Sequence, residues 1–216
     1  MEKKYLHDGP RVLLVEGTND CHLIWSLCKH YDVPDEVFGL YVCGSDKKVL
    51  QRLSALIAGS QDMTDIGVVL DADNPNLAGK WDAISNRLTN EGYNVPKTPI
   101  KDGSIISQEG KPTIGVWLMP DNDLDGMLED FCARLAPPDA LDYANNCATE
   151  AKKMGFSTFG NTHKSKATIH TFLAWQDEPG MPLGQAVTAK ALDAKQPIAI
   201  QFSDFLKNLF LTNRTN

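Results

Sequence analysis

Acidic side chains directly follow three of the most apolar segments of this sequence. They are Glu16 after residues 12–15, Asp71 and Asp73 after residues 66–70, and Asp121 and Asp123 after residues 113–119, with Glu129 close behind. If the three segments are adjacent parallel strands, their carboxyl ends meet at one edge of a sheet, where α/β proteins bind ligands. Carboxylates this close repel one another unless a cation compensates them, and oxygen ligands suit Mg²⁺ or Mn²⁺. The pattern predicts a shared divalent-metal site, although a single such Asp is more often a turn or capping residue.

Strand and helix patterns alternate through residue 135, and these elements would position the carboxylates. Apolar runs predict strands over Arg11–Val15, 38–43, 66–70 and Thr113–Met119, and a hairpin of 93–100 with 104–108 around Asp102-Gly103. An apolar face predicts a helix over 124–135. This alternation is typical of the α/β class, with a mostly parallel sheet flanked by helices. We expect that sheet in a domain of residues 1–135, with a mainly helical C-terminal extension, residues 136–216, packed on it.

The charge of the chain is unevenly distributed. The net charge is −7, but residues 1–150 hold 24 acids and 13 bases, whereas residues 151–216 hold 4 acids and 8 bases. The negative net charge argues against binding of nucleic acid by overall electrostatic attraction. However, bound cations would offset part of the negative charge, and the final segment of the chain is basic. No apolar run reaches the roughly 18 residues that span a bilayer. Five cysteines without CxxC spacing favour a reduced, cytoplasmic setting.

Two segments resemble the motifs of the Toprim superfamily. Residues 13–20 (LLVEGTND) are similar to its first motif, an apolar strand followed by Glu-Gly, and residues 68–73 (VVLDAD) are similar to its second, a strand followed by Asp-x-Asp. The resemblance covers roughly residues 10–135. It implies a compact Rossmann-like parallel sheet, and a site in which the Glu and the Asp-x-Asp hold Mg²⁺ for phosphodiester chemistry.

The resemblance also implies roles for individual residues. Glu16 would ligate a metal or act as a general acid or base, and Asp71 and Asp73 would ligate Mg²⁺ directly or through water. Asp121, Asp123 and Glu129 are further carboxylates that would hold a second metal. Asp20 would support these ligands or contact phosphate, although an acid in a first helical turn is also favoured by the helix dipole alone.

Residues 119–131 and 164–167 are similar to segments of Toprim-related bacterial proteins of unassigned function. Those relatives are close to the overcoming-lysogenization-defect nucleases and to phage-defence effectors. In this segment Lys166 is the candidate catalytic lysine, stabilising charge on the phosphate, and Lys164 is a candidate phosphate contact. An exposed helix start explains Lys164 equally well.

Three functions remain open at the level of sequence. A stand-alone Mg²⁺-dependent nuclease is the economical one, because the chain has no room for the extra domains of a topoisomerase or primase. The alternatives are a catalytically silent binding or regulatory module of Toprim fold and a metal-dependent small-molecule phosphohydrolase. The expected partners are nucleic acid and, for a defence effector, a partner ATPase or a second copy of the chain, with no membrane. Glycine-rich nucleotide loops are absent from the sequence.

Overall fold

The computed structural model describes residues 9–59, 63–73 and 76–212, which contain five strands and eight α-helices. The strands are β1 (Arg11–Val15), β2 (Gly39–Val42), β3 (Asp65–Asp71), β4 (Ser104–Ile106) and β5 (Thr113–Met119). The helices are α1 (Thr18–His30), α2 (Asp46–Gly59), α3 (Leu77–Asn90), α4 (Leu128–Ala133), α5 (Pro138–Lys153), α6 (Lys164–Leu173), α7 (Leu183–Thr188) and α8 (Pro197–Phe210). A short 3₁₀ turn, Asn161–His163, precedes α6.

The strands form one mostly parallel sheet in the order β2-β1-β3-β5-β4. Neighbouring strands among β2, β1, β3 and β5 pair in parallel, and β4 pairs antiparallel with β5. The predicted α/β class, with helices flanking the sheet and a helical C-terminal region, is confirmed. Strands β1, β3 and β5 are adjacent, so the three segments that precede the acidic residues do end at the same edge of the sheet.

Helices cover both faces of the sheet, which explains why its strands are apolar without alternation. Alternate residues such as Leu14, Val68 and Leu70 point to the face covered by α2 and α3. The others, such as Leu13 and Val69, point to a larger core shared with α1, α4 and the C-terminal helices. Each face of the sheet therefore buries apolar side chains of its central strands. The sheet is thus a rigid base for the residues at its edge.

Two glycines bring α8 close to the larger face of the sheet. Gly67 in β3 and Gly115 in β5 are paired in register. A Cβ at Gly115 would lie 2.3 Å from Cδ2 of Leu209, and one at Gly67 would lie 2.4 Å from Cδ1 of Leu13. The absence of side chains at this pair makes room for the apolar face of α8.

The predicted hairpin around Asp102-Gly103 is wrong. Residues 93–100 form no strand, and β4 pairs instead with β5 across the turn at 109–110. Pro96 and Pro99 lack the N–H groups that a strand ladder needs. The turn at Gly103 (φ +94°) closes this irregular segment, with the Ser104 hydroxyl accepting a hydrogen bond from the Ile100 N–H at 2.9 Å.

The helix predicted over 124–135 is shorter in the structure and begins at Leu128. The preceding loop is held to the sheet by a two-way backbone bridge between Asp73 and Gly126. Asp130 then accepts a hydrogen bond from the Met127 N–H at 2.9 Å, which fixes the start of α4.

The C-terminal helices share the larger core with the strands. In α8 the rings of Phe202 and Phe205 pack on Trp117 of β5, with centroids 5.1 Å and 5.6 Å away. Residues on both sides of position 136 thus contribute to one hydrophobic cluster. Within the described ranges, no helix combines the length and apolar character needed to cross a membrane.

Candidate active site

A cleft of about 430 Å³ opens at the carboxyl ends of β1 and β3. It lies between the first turn of α1, the start of α4 and the first turn of α6. The ionisable side chains that line it are Glu16, Asp20, Asp71, Glu129, His163 and Lys166. Four carboxylates, one lysine and one histidine therefore line the same space, and they come from segments that are far apart in the chain.

Glu16 and Asp71 are linked at the base of the cleft. The Asp71 N–H donates to Glu16 Oε1 at 3.2 Å, and Asp71 Oδ1 accepts a hydrogen bond from the Leu128 N–H at 2.8 Å. Burial raises the pKa of Asp71 to about 8, and the nearby charges of Asp20 and Glu16 add to the effect. The pKa of Glu16 is raised as well, also mainly by burial. This pair is a set of oxygen donors, and the positive charge of Lys80 offsets only part of the effect of burial on the pKa of Glu16.

Asp20 adds a third carboxylate, supplied by the first turn of α1. It is only 7% exposed, and its Oδ2 accepts a hydrogen bond from the Gly17 N–H at 3.1 Å. Burial raises the pKa of Asp20 to about 6, and the charges of Glu16 and Glu129 also raise it. Hydrogen bonds from the N–H groups of Gly17 and of Asp20 itself lower the pKa but do not outweigh burial. Asp20 therefore has two roles in the structure: its hydrogen bond to Gly17 stabilises the start of α1, and its side chain lines the cleft.

Glu129 and Lys166 form the opposite side of the cleft. Glu129 is 6% exposed on α4, and Lys166 Nζ of α6 lies 3.5 Å from its Oε1. The lysine side chain is half exposed. A cation from the basic C-terminal region thus contacts one carboxylate of the cleft, that of Glu129.

Asp73 lies beside the cleft rather than in its lining. Its Oδ2 is 2.9 Å from Lys80 Nζ, and the same ammonium contacts Asp46 at 2.8 Å. Asp73 has a left-handed backbone (φ +63°) and a half-exposed side chain. Its charge still raises the pKa of Glu16, so the two carboxylates are electrostatically close.

Asp121 and Asp123 do not join the described residues that line the cleft. Asp121 Oδ1 accepts hydrogen bonds from the N–H groups of Asp123 and Leu124 at 3.1 Å and 2.9 Å, and its Oδ2 lies 2.9 Å from Arg134. The Asp123 side chain is exposed, as is Lys164 at the start of α6. Asp121 therefore shapes the loop after β5, whereas Glu129 is the acid of this loop region that faces the cleft.

Sequence reasoning did not anticipate the residue that joins this loop to α3. Asp125 Oδ1 accepts hydrogen bonds from the N–H groups of Asn76 and Leu77 at 3.2 Å and 2.8 Å, so it caps the helix from a distance. Asp125 and the start of α3 are nearly fifty residues apart, so no local sequence pattern could have predicted their contact. Lys80, which neutralises Asp73, was likewise missed, because a lysine inside a helical pattern carries no signal of its partner.

The arrangement offers oxygen donors but no complete ligand set. Among the residues that the structure describes, no group of three or more His, Cys, Asp or Glu side chains is arranged to hold a metal ion. Cys132 is fully buried behind the acids, and burial raises the pKa of its thiol well above the usual range. The Cys132 sulfur is therefore not available as a thiolate ligand, and the ionisable groups that line the cleft are four carboxylates, Lys166 and His163.

Comparison with known proteins places the chain in a family. No curated protein matches it. Among solved structures it is similar to the C-terminal region of the OLD protein of Xanthomonas campestris pv. campestris, with 12% sequence identity and a TM-score of 0.47 over 94% of this chain and 97% of that one. The family described as "Protein of unknown function (DUF3226)" matches residues 10–211. Since this match spans nearly the whole sequence, the chain belongs to the DUF3226 family.

Proposed function

We propose that this protein is a Mg²⁺-dependent nuclease of Toprim type, which cleaves phosphodiester bonds at the cleft between β1, α4 and α6. The observation that carries the proposal is the convergence of four carboxylates beside Lys166 at the end of adjacent parallel strands. The motif resemblance at residues 13–20 and 68–73 supports the same chemistry.

The donor set of the cleft fits Mg²⁺ or Mn²⁺. Glu16 and Asp71 supply oxygen atoms alone, and burial raises the pKa of both carboxyls, although the charge of Lys80 opposes this effect at Glu16. Two protein carboxylates are sufficient for Mg²⁺, because this ion usually keeps several waters and takes further ligands from substrate phosphates. When bound, the ion supplies charge stabilisation at the phosphate and a more acidic water.

The proposal assigns one ion to Glu16 and Asp71 rather than two ions to the cleft. Asp121 is engaged by Arg134, and Asp73 is engaged by Lys80, so neither carboxylate is free to act without rearrangement. The second metal site therefore has less support than the first. A shift of Asp73 from Lys80 towards the cleft would add it to the ligand set.

The other residues of the cleft bind and orient the substrate in this proposal. Lys166 places a positive charge where a phosphate oxygen approaches, and its contact with Glu129 holds the ammonium at the rim. Asp20, whose pKa burial raises, is the carboxyl proposed to donate a proton to the leaving oxygen. In this account its Oδ2 moves from the Gly17 N–H to the substrate.

The test is cleavage of labelled single- and double-stranded DNA and RNA with Mg²⁺, with Mn²⁺ and with EDTA. We expect divalent-dependent cleavage by the wild type and a loss of at least about a hundredfold in Glu16→Gln and Asp71→Asn. Matched controls are Glu109→Gln and Asp142→Asn, which change exposed acids that do not line the cleft and should retain most of the activity. Cleavage that both cleft variants retain would overturn the assignment.

One observation favours a small-molecule phosphohydrolase as a second candidate. The cleft volume of about 430 Å³ falls within the range of small-ligand sites, roughly 300–1,000 Å³. A panel of nucleotides and phosphodiesters, assayed with the same variants, separates this activity from a nuclease. A silent module would bind metal without turnover in either assay. The phage-defence role, the partner ATPase and the homodimer rest on the resemblance alone and stay predictions.

A further inference from the structure

One region of this acidic protein contains no acidic residue. Residues 151–176 hold four lysines and two histidines but neither Asp nor Glu, although the whole chain has a net charge of −7. They cover the end of α5, the 3₁₀ turn, α6 and the residues just after it. The local charge of this region is therefore positive, which favours contact with a negatively charged ligand.

The same region exposes large aromatic side chains. Phe156 is 75% exposed and Trp175 is 47% exposed. Tyr143 of α5 is 64% exposed, and its ring centroid lies 5.7 Å from that of Trp175. The Tyr143–Trp175 pair is an exposed aromatic patch, and Phe156 adds an exposed ring just after the end of α5; exposed apolar patches of this kind are typical of contact surfaces.

A groove of about 530 Å³ lies between α5 and α6, and Ser157 and Ala174, the chain neighbours of Phe156 and Trp175, line it. Small side chains such as Ala151 and Ala167 line it, together with Phe159. The groove and the candidate active site share one turn of α6, because Lys166 lines the cleft and the next residue, Ala167, lines the groove. A strand bound in the groove would therefore pass close to the turn of α6 that carries Lys166.

Two lysines lie near the residues of the groove in the chain. Lys152 Nζ lies 5.3 Å from the centroid of Phe159 and donates a hydrogen bond to Asn161. Lys164 is exposed at the start of α6. Within the described ranges neither Lys152 nor Lys164 forms an ion pair, whereas Lys153 is tied to Glu150 at 2.6 Å.

We propose that the α5–α6 surface, formed by this groove with Tyr143, Phe156, Trp175, Lys152 and Lys164, binds single-stranded nucleic acid and guides the strand into the cleft. The inference rests on the proposed function for its substrate class. Flat exposed rings stack on unpaired bases, and lysines beside them contact the phosphates between those bases. An acidic protein segment would satisfy the lysines but would leave the rings without a specific role.

The first experiment measures binding without cleavage. A fluorescent oligo(dT) of about 20 nucleotides is titrated with the full chain in EDTA and followed by anisotropy. We expect Phe156→Ala/Trp175→Ala to weaken binding at least about tenfold, and a blunt duplex of equal length to bind at least about tenfold more weakly than the single strand. The control Ile200→Ala removes an exposed apolar side chain of α8 and should bind as the wild type does.

The second experiment measures the salt dependence of the same binding. Replacing Lys152 and Lys164 with Ala should reduce the slope of log K against log salt by about 1.4, since each phosphate contact on a single strand contributes about 0.7. Lys195→Ala, an exposed lysine outside the surface, should leave the slope unchanged.

Three results would overturn the inference: wild-type binding by the ring variant, equal affinity for duplex and single strand, or displacement of the oligonucleotide by polyglutamate at equal charge concentration. The last would identify an acidic protein as the better occupant. Mg²⁺-dependent cleavage that is lost in Glu16→Gln, without ring-dependent binding, would uphold the nuclease and reject the surface. Ring-dependent binding without any cleavage would uphold the surface and reject the nuclease.

Discussion

Replacing Asp71 with Asn should change how the stability of the metal-free protein depends on pH. The Asp71 carboxyl has a pKa of about 8 in the folded chain and about 4 when unfolded. Between these values the folded state holds a proton that the unfolded state has released, so the free energy of unfolding falls as pH rises. The slope for one proton is about 1.4 kcal/mol per pH unit.

The size of the effect follows from that slope. Between about pH 6 and about pH 8 the wild type should lose about 2 kcal/mol of stability through Asp71 alone, because the slope flattens as the folded carboxyl begins to ionise. Asn at this position does not titrate, and its side-chain oxygen can still accept the hydrogen bond from the Leu128 N–H. The stability of the variant relative to the wild type should therefore increase by about 2 kcal/mol over this range.

Urea denaturation in EDTA at several pH values measures this difference. Asp142→Asn, at an exposed position of α5, serves as the matched control and should follow the wild-type profile. A stability difference between Asp71→Asn and the wild type that stays constant from about pH 6 to about pH 8 would show that the pKa of Asp71 is not raised in the folded protein.

Three further predictions concern other parts of the structure. Lys166→Ala should reduce cleavage at least about tenfold with little change in thermal stability, because the side chain is half exposed, and Lys166→Arg should restore most of the rate if positive charge is what matters. Asp125→Ala should lower the free energy of unfolding by about 1 kcal/mol in urea titration, through the loss of the cap on α3, and a change below about 0.3 kcal/mol would contradict that role. Gly115→Ala should cost about 1–3 kcal/mol, since its Cβ would meet Leu209, whereas Gly59→Ala in α2 meets nothing within 4 Å and should be neutral or slightly stabilising by the same assay.

The central strands could be predicted from sequence because their physical signal is local. The continuous apolar runs ending before Glu16 and at Asp71 are buried on both faces, and a parallel sheet in this class brings their carboxyl ends together. The same reasoning extended the site to Asp121, because a carboxylate after a strand looks the same whether it faces a cleft or a loop. What separates the two cases is Arg134, whose contact with Asp121 depends on how the loop folds.

The failures elsewhere have a related cause. The hairpin prediction gave weight to the turn at Gly103 and too little to the prolines in residues 93–100, which cannot donate hydrogen bonds to a ladder. The exposed rings of Phe156 and Trp175 carried no sequence signal, because burial depends on how α5 and α6 pack. Contacts between distant segments thus decided both the shape of the cleft and the surface beside it.

Calorimetric titration of the metal-free protein with Mg²⁺ at about pH 7, in buffers of different ionisation enthalpy, tests the central claim most directly. If Mg²⁺ binds at Glu16 and Asp71, it must displace the proton that Asp71 holds at this pH, so we expect one ion per chain and the release of about 0.9 proton for each ion bound. Asp71→Asn should bind Mg²⁺ more weakly and release almost no proton. Absence of Mg²⁺ binding by the wild type, or equal proton release by the wild type and Asp71→Asn, would contradict the account.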